Sequence, residues 1–536
     1  MKGLKIFIVS VLLFLTGEAF ASQAPPQGQP QSQPSTLALR LNDVFRMMLE
    51  SNLSVAVARL PPDVAQSATG TYLQPFQPTL HVSGTGTRGT TPSISLLNGA
   101  PFLFQLTHSY EVGIGQRLRT GTSYALDVTM NRATSNNLFF LYNPSWFAQL
   151  RYAIAQPLLR NLGSGVNGHS IRIAQNNHRI SESQFEQQMM DLVEQAQNNY
   201  WDYVFSIEDM KVKQESVQLA EKTLEENQMK VAAGVLAPLD VVQAESQVAN
   251  MQDALIVSTY TSRQNEDQLK KTITNQPDPG LLLAKITPVD TLRRPAPEDL
   301  VSITDAIRIA LENRPEMKQA RLAVDNAEID RGYTKNQTLP VLDVNAAYTQ
   351  TGLAGIPNLA SPLGGIPIVG VIPGPSGGMS DALRQLVHAD YKTYSFGFNL
   401  QIPLSNKAAR SDYDRALSAK KLAQAQVDGT AQQIALEVRN AMIRVEMNRA
   451  HIETAAKARE TAQKTLDVEQ KKFDLGVSTL FFVLQDQTNL AIAETNEVQA
   501  LVNYTKSLVA LDRATGQTLS RNRIVIEKAT PRIASN

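Results

Sequence analysis

Apolar positions recur along this chain with two periods. Val241, Ala244, Val248, Met251 and Leu255 stand three and four residues apart, the seam of a helix packed along a neighbour. Phe396, Phe398 and Leu400 instead alternate with Ser395, Gly397, Asn399 and Gln401, which predicts a strand with one apolar and one polar face. The helical pattern dominates. Between Ser170 and Val231 there is no glycine or proline, so nothing in that stretch breaks a helix. At ~1.5 Å per residue this helix would be about 93 Å long. Gly234 and Pro238 then mark a tight reversal, and residues 239–274 return as a second helix. A second hairpin is predicted over 407–473, with Gly429 inside it, a turn at Gly476-Val477-Ser478-Thr479, and a return over 480–514. Such helices exceed anything a compact domain holds, where the mean is about 11–12 residues.

The shorter elements repeat. Residues 41–60 read as an amphipathic helix with an echo further on. Asp43, Arg46, Leu49 and Glu50 match Asp305, Arg308, Leu311 and Glu312, and Ala58-Arg59-Leu60 matches Ala320-Arg321-Leu322. Pro61-Pro62 is expected to interrupt the first copy, and the second to run on towards Thr338. The two turns match in the same way: Gly234 with Gly476, Lys230 with Lys472, Val241 with Val483, Gln243 with Gln485. After each short helix comes proline and then a strand. Pro75 and Pro78 precede 79–88, and Pro340 precedes 341–351. A second strand in each half, 146–156 and 393–402, runs into Pro157 and Pro403. Proline lacks an N–H and resists helix, so it suits a junction where helix changes to strand. The first half adds a hairpin over 109–118 and 122–132. The second carries a glycine- and proline-rich segment, 352–381, read as loop.

Adding lengths gives a shape. Each long helix is as long as the two shorter helices of its half placed end to end, so four parallel rods of ~100 Å can form. Strands then gather at one end and turns at the other. A sheet with one polar and one apolar face is what a water-filled membrane barrel needs, with Trp146, Phe147, Tyr391 and Tyr394 as candidates for aromatic girdles. An ordinary sheet with one solvated face reads the same way.

Composition narrows the setting. Lys2 and Lys5, the apolar run 6–15 and Ala19-Phe20-Ala21 make residues 1–21 a secretory signal, followed by a disordered Gln/Pro/Ser-rich linker over 22–38. Removing residues 1–21 takes Lys2, Lys5 and Glu18 from 50 basic and 50 acidic residues, leaving a net charge of −1, which argues against a nucleic-acid partner. There is no cysteine, so an exported chain must rely on packing or assembly. No other apolar run is long enough for a transmembrane helix, so a membrane crossing would have to be a closed barrel. The 6 histidines, at 81, 108, 169, 178, 388 and 451, show no metal-ligand spacing, and no nucleophile triad, phosphate loop or dinucleotide fingerprint stands out. The chain therefore reads as no enzyme, with no catalytic, metal or cofactor site.

The paired Asp-x-x-Arg-x-x-Leu-Glu helices, the Gln156-Pro157-Leu158-Leu159 exit and the turn Gly234-Val235-Leu236-Ala237-Pro238-Leu239-Asp240-Val241 resemble the TolC-like family of bacterial outer membrane efflux proteins. The doubled order of helix, strands, long helix, glycine turn and helix carries the resemblance over nearly the whole chain. It implies a mainly α-helical fold with a membrane β-barrel: a homotrimer whose 12-stranded barrel, four strands per chain, continues as a long periplasmic tube. The extra hairpin departs from two strands per repeat. The repeats would be 39–275 and 301–516, joined by a linker over 276–300 and followed by a tail over 517–536. The implied function is an outer-membrane exit duct of an efflux or type I secretion system. Its partners would be a periplasmic adaptor (membrane fusion) protein, an inner-membrane RND or ABC pump, and outer membrane lipid. Gly234, Val235, Leu236, Ala237, Gly476, Val477, Ser478 and Thr479 would be the tips that meet the adaptor, although glycine there also serves simply to reverse the chain. Relatives place acidic residues six and nine positions after the second tip glycine. Here Phe482 and Gln485 stand there, so the expected periplasmic constriction is a ring of Phe482 with Gln485 above it and Asp240 as the acidic member. Phe481 and Phe482 as helix-packing core is the alternative. The competing functional class is a soluble periplasmic coiled-coil scaffold.

Overall fold

The computed structural model describes residues 36–94, 98–276, 278–296, 302–358 and 376–526. The expected signal, most of the expected linker, residues 359–375 of the glycine-rich segment and residues 527–536 lie outside that set. In chain order the elements begin with strand β1 (Thr36–Leu39), helices α1 (Leu41–Ser51) and α2 (Leu53–Thr71), and strands β2 (Thr79–Pro92), β3 (Phe102–Arg117), β4 (Ser123–Ser135) and β5 (Tyr142–Pro157). Next come helices α3 (Ser164–Asn167), α4 (His169–Ala232), α5 (Pro238–Ile273) and α6 (Pro279–Leu283), then strand β6 (Lys285–Pro288) and helices α7 (Ile303–Asn313) and α8 (Pro315–Gln337). Strand β7 (Val341–Pro357), helix α9 (Met379–His388), strand β8 (Tyr391–Gln401) and helices α10 (Lys407–Asp474), α11 (Leu480–Ala514) and α12 (Thr518–Arg521) complete the order.

The uninterrupted stretches become the two long rods. α4 has 64 residues and α10 has 68, about 96 and 102 Å at 1.5 Å per residue. α5 folds back along α4, and α11 along α10. Short helices continue the returning rods. Asn52 donates its amide to the Thr272 carbonyl (2.7 Å), and the Leu53 N–H donates to the Asn275 side chain (3.0 Å), so α1 and α2 meet the end of α5. Gly516, just past α11, abuts the joint between α7 and α8, where a Cβ on it would lie 3.1 Å from the Asn313 carbonyl carbon. Its φ of +72° also calls for glycine.

Two helix expectations are corrected. The first short helix breaks at Asn52, not at Pro61-Pro62, which stand inside α2. Asn52 is extended, caps the Ser54 N–H (2.7 Å) and is held by α5, whereas Pro62 is buried against α4. Packing there outweighs the two N–H groups the prolines lack. The second short helix also breaks, at extended Arg314, because the residue before Pro315 disfavours the helical region. Asn52 and Arg314 are 262 residues apart, the spacing of the matched short helices.

The segment 352–381 is not all loop: β7 runs to Pro357, and α9 starts at Met379 with its first-turn Asp381 accepting from the Gly378 N–H (3.0 Å). Residues 36–38, expected within the linker, are strand. β1 pairs in parallel with β6, strapping Ile286 and Leu39 into the main core with Met48, Val44, Met189, Val193, Tyr200 and Leu269. Tyr200 donates to the Asp290 carboxylate (2.9 Å), and Tyr203 to the Ile286 carbonyl (2.6 Å), so both buried hydroxyls are satisfied. Leu519 of α12 and Ile524 join the same core, so the expected tail docks at its start.

Candidate functional site

The six long strands form one antiparallel sheet in the order β2-β3-β4-β5-β7-β8. The expectation of four strands per chain is corrected: β3 and β4, the extra hairpin, pair along their length between β2 and β5. Every cross-strand pairing from Ser145 onward in β5, and throughout the other strands, joins even to even and odd to odd residues. Directly opposed residues share a face, so all even positions lie on one side. That side carries Leu80, Val82, Val112, Ile114, Val128, Met130, Leu150, Tyr152, Tyr348, Tyr394, Phe396, Phe398 and Leu400. Tyr152, Tyr348 and Tyr394 line up across three strands, the first pair stacked at 6.1 Å and the second tilted at 5.0 Å. The other side carries His81, Ser83, Thr107, Glu111, Asp127, Thr129, Gln149, Arg151, Asn345, Thr349, Ser395 and Asn399. Phe396 is 82% exposed and Phe398 75% exposed, so the chain leaves much of its apolar face uncovered. At one end α9 covers part of it, packing Ala382 and Leu386 on Ala148 and Ala354. Of the four aromatic candidates, Trp146 and Tyr394 share the apolar face; Phe147 and Tyr391 are odd and fall on the polar one.

The expected junction prolines all stand at strand ends. Pro75 lies in the 3-10 turn Gln74–Phe76, and Pro78 and Pro340 immediately precede β2 and β7. Pro157 ends β5, and Pro403 comes just after β8. Side chains lock this boundary. Arg160 donates to Gln337 (2.7 Å), the Asn161 N–H donates to Asn336 (2.7 Å), and Asn406 donates to the Thr338 carbonyl (2.7 Å).

At the far end the two turns close alike. The Gly234 N–H donates to the Val231 carbonyl and the Val235 N–H to the Lys230 carbonyl, both at 2.9 Å. The Gly476 N–H donates to the Phe473 carbonyl and the Val477 N–H to the Lys472 carbonyl, both at 3.0 Å. The glycines sit at φ +75° and +74°, the left-handed C-cap. Lys230 ties the turns together, 3.0 Å from Asp474 and 4.7 Å from the Phe473 ring centre. Ala244, Leu466, Phe473, Leu480, Val483 and Leu484 form a small core beneath, with Leu236 against it. Val235, Ala237, Val477 and Thr479 are exposed, and Ser478 donates to Glu469. That hydrogen bond and the nearby Lys472 hold the Glu469 carboxyl below its usual range. Asp240 accepts from the Ala237 N–H (3.2 Å), so its local task is to cap α5. Phe481 and Phe482 are 58% and 53% exposed and stand outside the tip core. Gln485 is exposed one turn on, and its amide donates to Asn489 (3.3 Å).

A cluster the sequence did not reveal sits at the α7–α8 joint. Buried Arg314 donates to Glu316 at 2.7 and 3.1 Å and to Glu437, and Arg513 reaches Glu316 (3.2 Å) and Asp191 (2.5 Å). Burial pushes the Glu316 carboxyl up, but hydrogen bonds and charge from Arg314 outweigh that and leave it lowered. The cluster links α8, α10, α11 and α4. Its sequence signal was Arg-Pro at 314–315 beside the matched helix.

An open amphipathic sheet set end-on against rods of about 100 Å is the architecture of a channel-forming protomer. The chain belongs to the outer membrane efflux protein family, whose model matches residues 152–275 and 306–517. The outer membrane channel CmeC of Campylobacter jejuni shares the fold at TM-score 0.59 and 16% identity, over 89% of this chain and 86% of that one. The outer membrane protein VceC of Vibrio cholerae does so at TM-score 0.59 and 15% identity, over 89% and 96%. The MtrE outer membrane channel of Neisseria gonorrhoeae does so at TM-score 0.57 and 17% identity, over 92% and 94%. In sequence the chain is 22% identical over 323 residues to nodulation protein T of Rhizobium leguminosarum bv. trifolii, a match spanning 60% of this chain and 62% of that relative.

Proposed function

We propose that this chain is the outer-membrane exit duct of a tripartite efflux or type I secretion system, a passive conduit and not an enzyme. One observation carries the reading: a six-stranded sheet whose even face is apolar and exposed, with both edges, β2 and β8, unpaired among the described residues. In lipid each unpaired backbone group costs several kcal/mol, so β8 of one copy must pair with β2 of the next. Trimers are the family's form. Three copies would close 18 strands, not 12, because the hairpin β3–β4 is integral to the sheet. Barrels of about 16–18 strands leave an aqueous channel. The polar odd face would line it, and the α4–α5 and α10–α11 hairpins would continue it through the periplasm as two related modules, 39–275 and 301–516.

The tips around Gly234 and Gly476 would meet a periplasmic adaptor serving an inner-membrane RND or ABC pump. Phe482, Gln485 and Asp240 would ring the narrow end. A soluble periplasmic scaffold would need rods alone and leaves the uncovered aromatic face unexplained. Export assays with membrane fractionation test the reading. The protein should float with outer membranes as a detergent-stable trimer and form single channels in planar bilayers. A stable monomer recovered without detergent would end it.

A further inference from the structure

We propose that His81, Glu111 and Asp127 form a binding site for a borderline divalent cation of the Zn2+ class. The site lies on the polar face near the helix-proximal end of the sheet. The register builds it. His81 of β2 pairs with Gly113 of β3, and Gly113 pairs with Asp127 of β4, so the three stand in one row across the strands. Glu111 lies two residues along β3 on the same face. His81 Nε2 is 3.4 Å from Asp127 Oδ1 and 3.8 Å from Glu111 Oε1, and the three ligand atoms lie within 4.8 Å of one another. Ligands about 2.0–2.1 Å from a tetrahedral ion stand about 3.3 Å apart, so these separations suit a shared cation.

Gly113 is what lets the two outer side chains meet. A Cβ there would lie 2.3 Å from Asp127 Oδ1 and 2.4 Å from His81 Nε2. Those atoms occupy the space that a side chain on the middle strand would fill. Two carboxylates beside an imidazole gather negative charge for a dication to offset. One nitrogen and two oxygens, with no thiolate, suit Zn2+, Mn2+ or Ni2+ rather than a soft monovalent ion. The three side chains are partly exposed, so a bound ion keeps open positions and exchanges with solution. Arg151, the cross-strand partner of Asp127 on β5, forms no ion pair with any of the three among the described residues. Its charge one strand away weakens the site and favours exchange over permanent retention.

That the ion would face the channel rests on the reading proposed above; that the residues bind it does not. The full-length protein, purified in detergent, is titrated with Co2+ as a spectroscopic probe and Zn2+ by calorimetry. About one ion per chain should bind, with the intensified visible absorption of low-coordinate Co2+. His81→Asn should weaken binding by about tenfold or more. Gly113→Ala should do likewise while leaving every ligand in the chain. Its new methyl group displaces only side-chain ends, so the strand stands. Absence of uptake, or wild-type affinity in both variants, overturns the site. In bilayers, Zn2+ should reduce the wild-type current and not that of His81→Asn. Binding that never alters the current would keep the site and overturn its placement in the conduit.

Discussion

The two hairpin tips share a backbone turn and differ in the residues that start the returning helix. Both close through a left-handed glycine with the same pair of hydrogen bonds, and Lys230 bridges them to Asp474. The third helical position is Asp240 in one and Phe482 in the other, 242 residues apart like the glycines. At the first tip the Asp240 carboxylate caps the chain and offsets the positive end of α5. At the second, no side chain caps α11, and two aromatic rings packed edge to face at 5.6 Å are left in solvent. An exposed aromatic pair on an uncapped helix start gives up local stability, about 1 kcal/mol for a missing cap. Both tips expose apolar side chains, Val235 and Leu239 at the first and Val477, Phe481 and Phe482 at the second, so the difference is a capping carboxylate at one and an aromatic pair at the other.

The largest expected effect tests what the tips have in common. Gly476→Pro removes the N–H that donates to Phe473 and forces a negative φ where the chain needs +74°. The surroundings are open, with nothing within 4 Å of a Cβ, so the rest of the chain should fold and trimers should still reach the membrane. Export should be abolished. Normal export in that variant would remove the docking role from the second tip. A smaller effect tests where they differ. Phe482→Ala should raise single-channel conductance while leaving tip stability nearly unchanged, since Phe482 caps nothing. Asp240→Ala should instead cost about 1 kcal/mol of hairpin stability in a urea melt. Strong block by multivalent cations that persists in His81→Asn would point to a carboxylate ring and against Phe482.

These tips were legible because their determinants are local. The glycine-free stretch 170–231 predicts α4 to within a residue at each end, and 480–514 reproduces α11. Most of what failed depends on partners distant in sequence. Asn52 breaks its helix because the Thr272 carbonyl, 220 residues on, takes its amide proton. Pro61 and Pro62 signalled the wrong place because α4 supplies packing that propensity cannot foresee. The hairpin β3–β4 was visible as two strands, but its insertion between β2 and β5 is a matter of pairing. His81, Glu111 and Asp127 likewise lie on three strands, so no spacing rule for histidines could join them. The break at Arg314 had a local signal in Pro315 that the reading of one helix running on towards Thr338 passed over, and Glu437, which completes the partners of Arg314, is 123 residues away.

The smallest effect separates the tips by acidity. Ser478 and Glu469 tie the second turn back onto α10, and residues 230–240 of the first turn have no counterpart to that hydroxyl. Because the Glu469 carboxyl is held below its ordinary value of 4.5, the tie is complete above about that pH and is lost as pH falls through the lowered value. Ser478→Ala should remove it at every pH. Amide exchange at Gly476 and Val477 should then quicken by about twofold at neutral pH, the scale of an exposed charged contact, while Gly234 and Val235 stay unchanged. Acidifying the wild type through that lowered value should bring the second turn to the variant's behaviour. Equal quickening at both tips would mean that the Lys230–Asp474 bridge makes them a single unit, and the division of labour between Asp240 and Phe482 would fall with it.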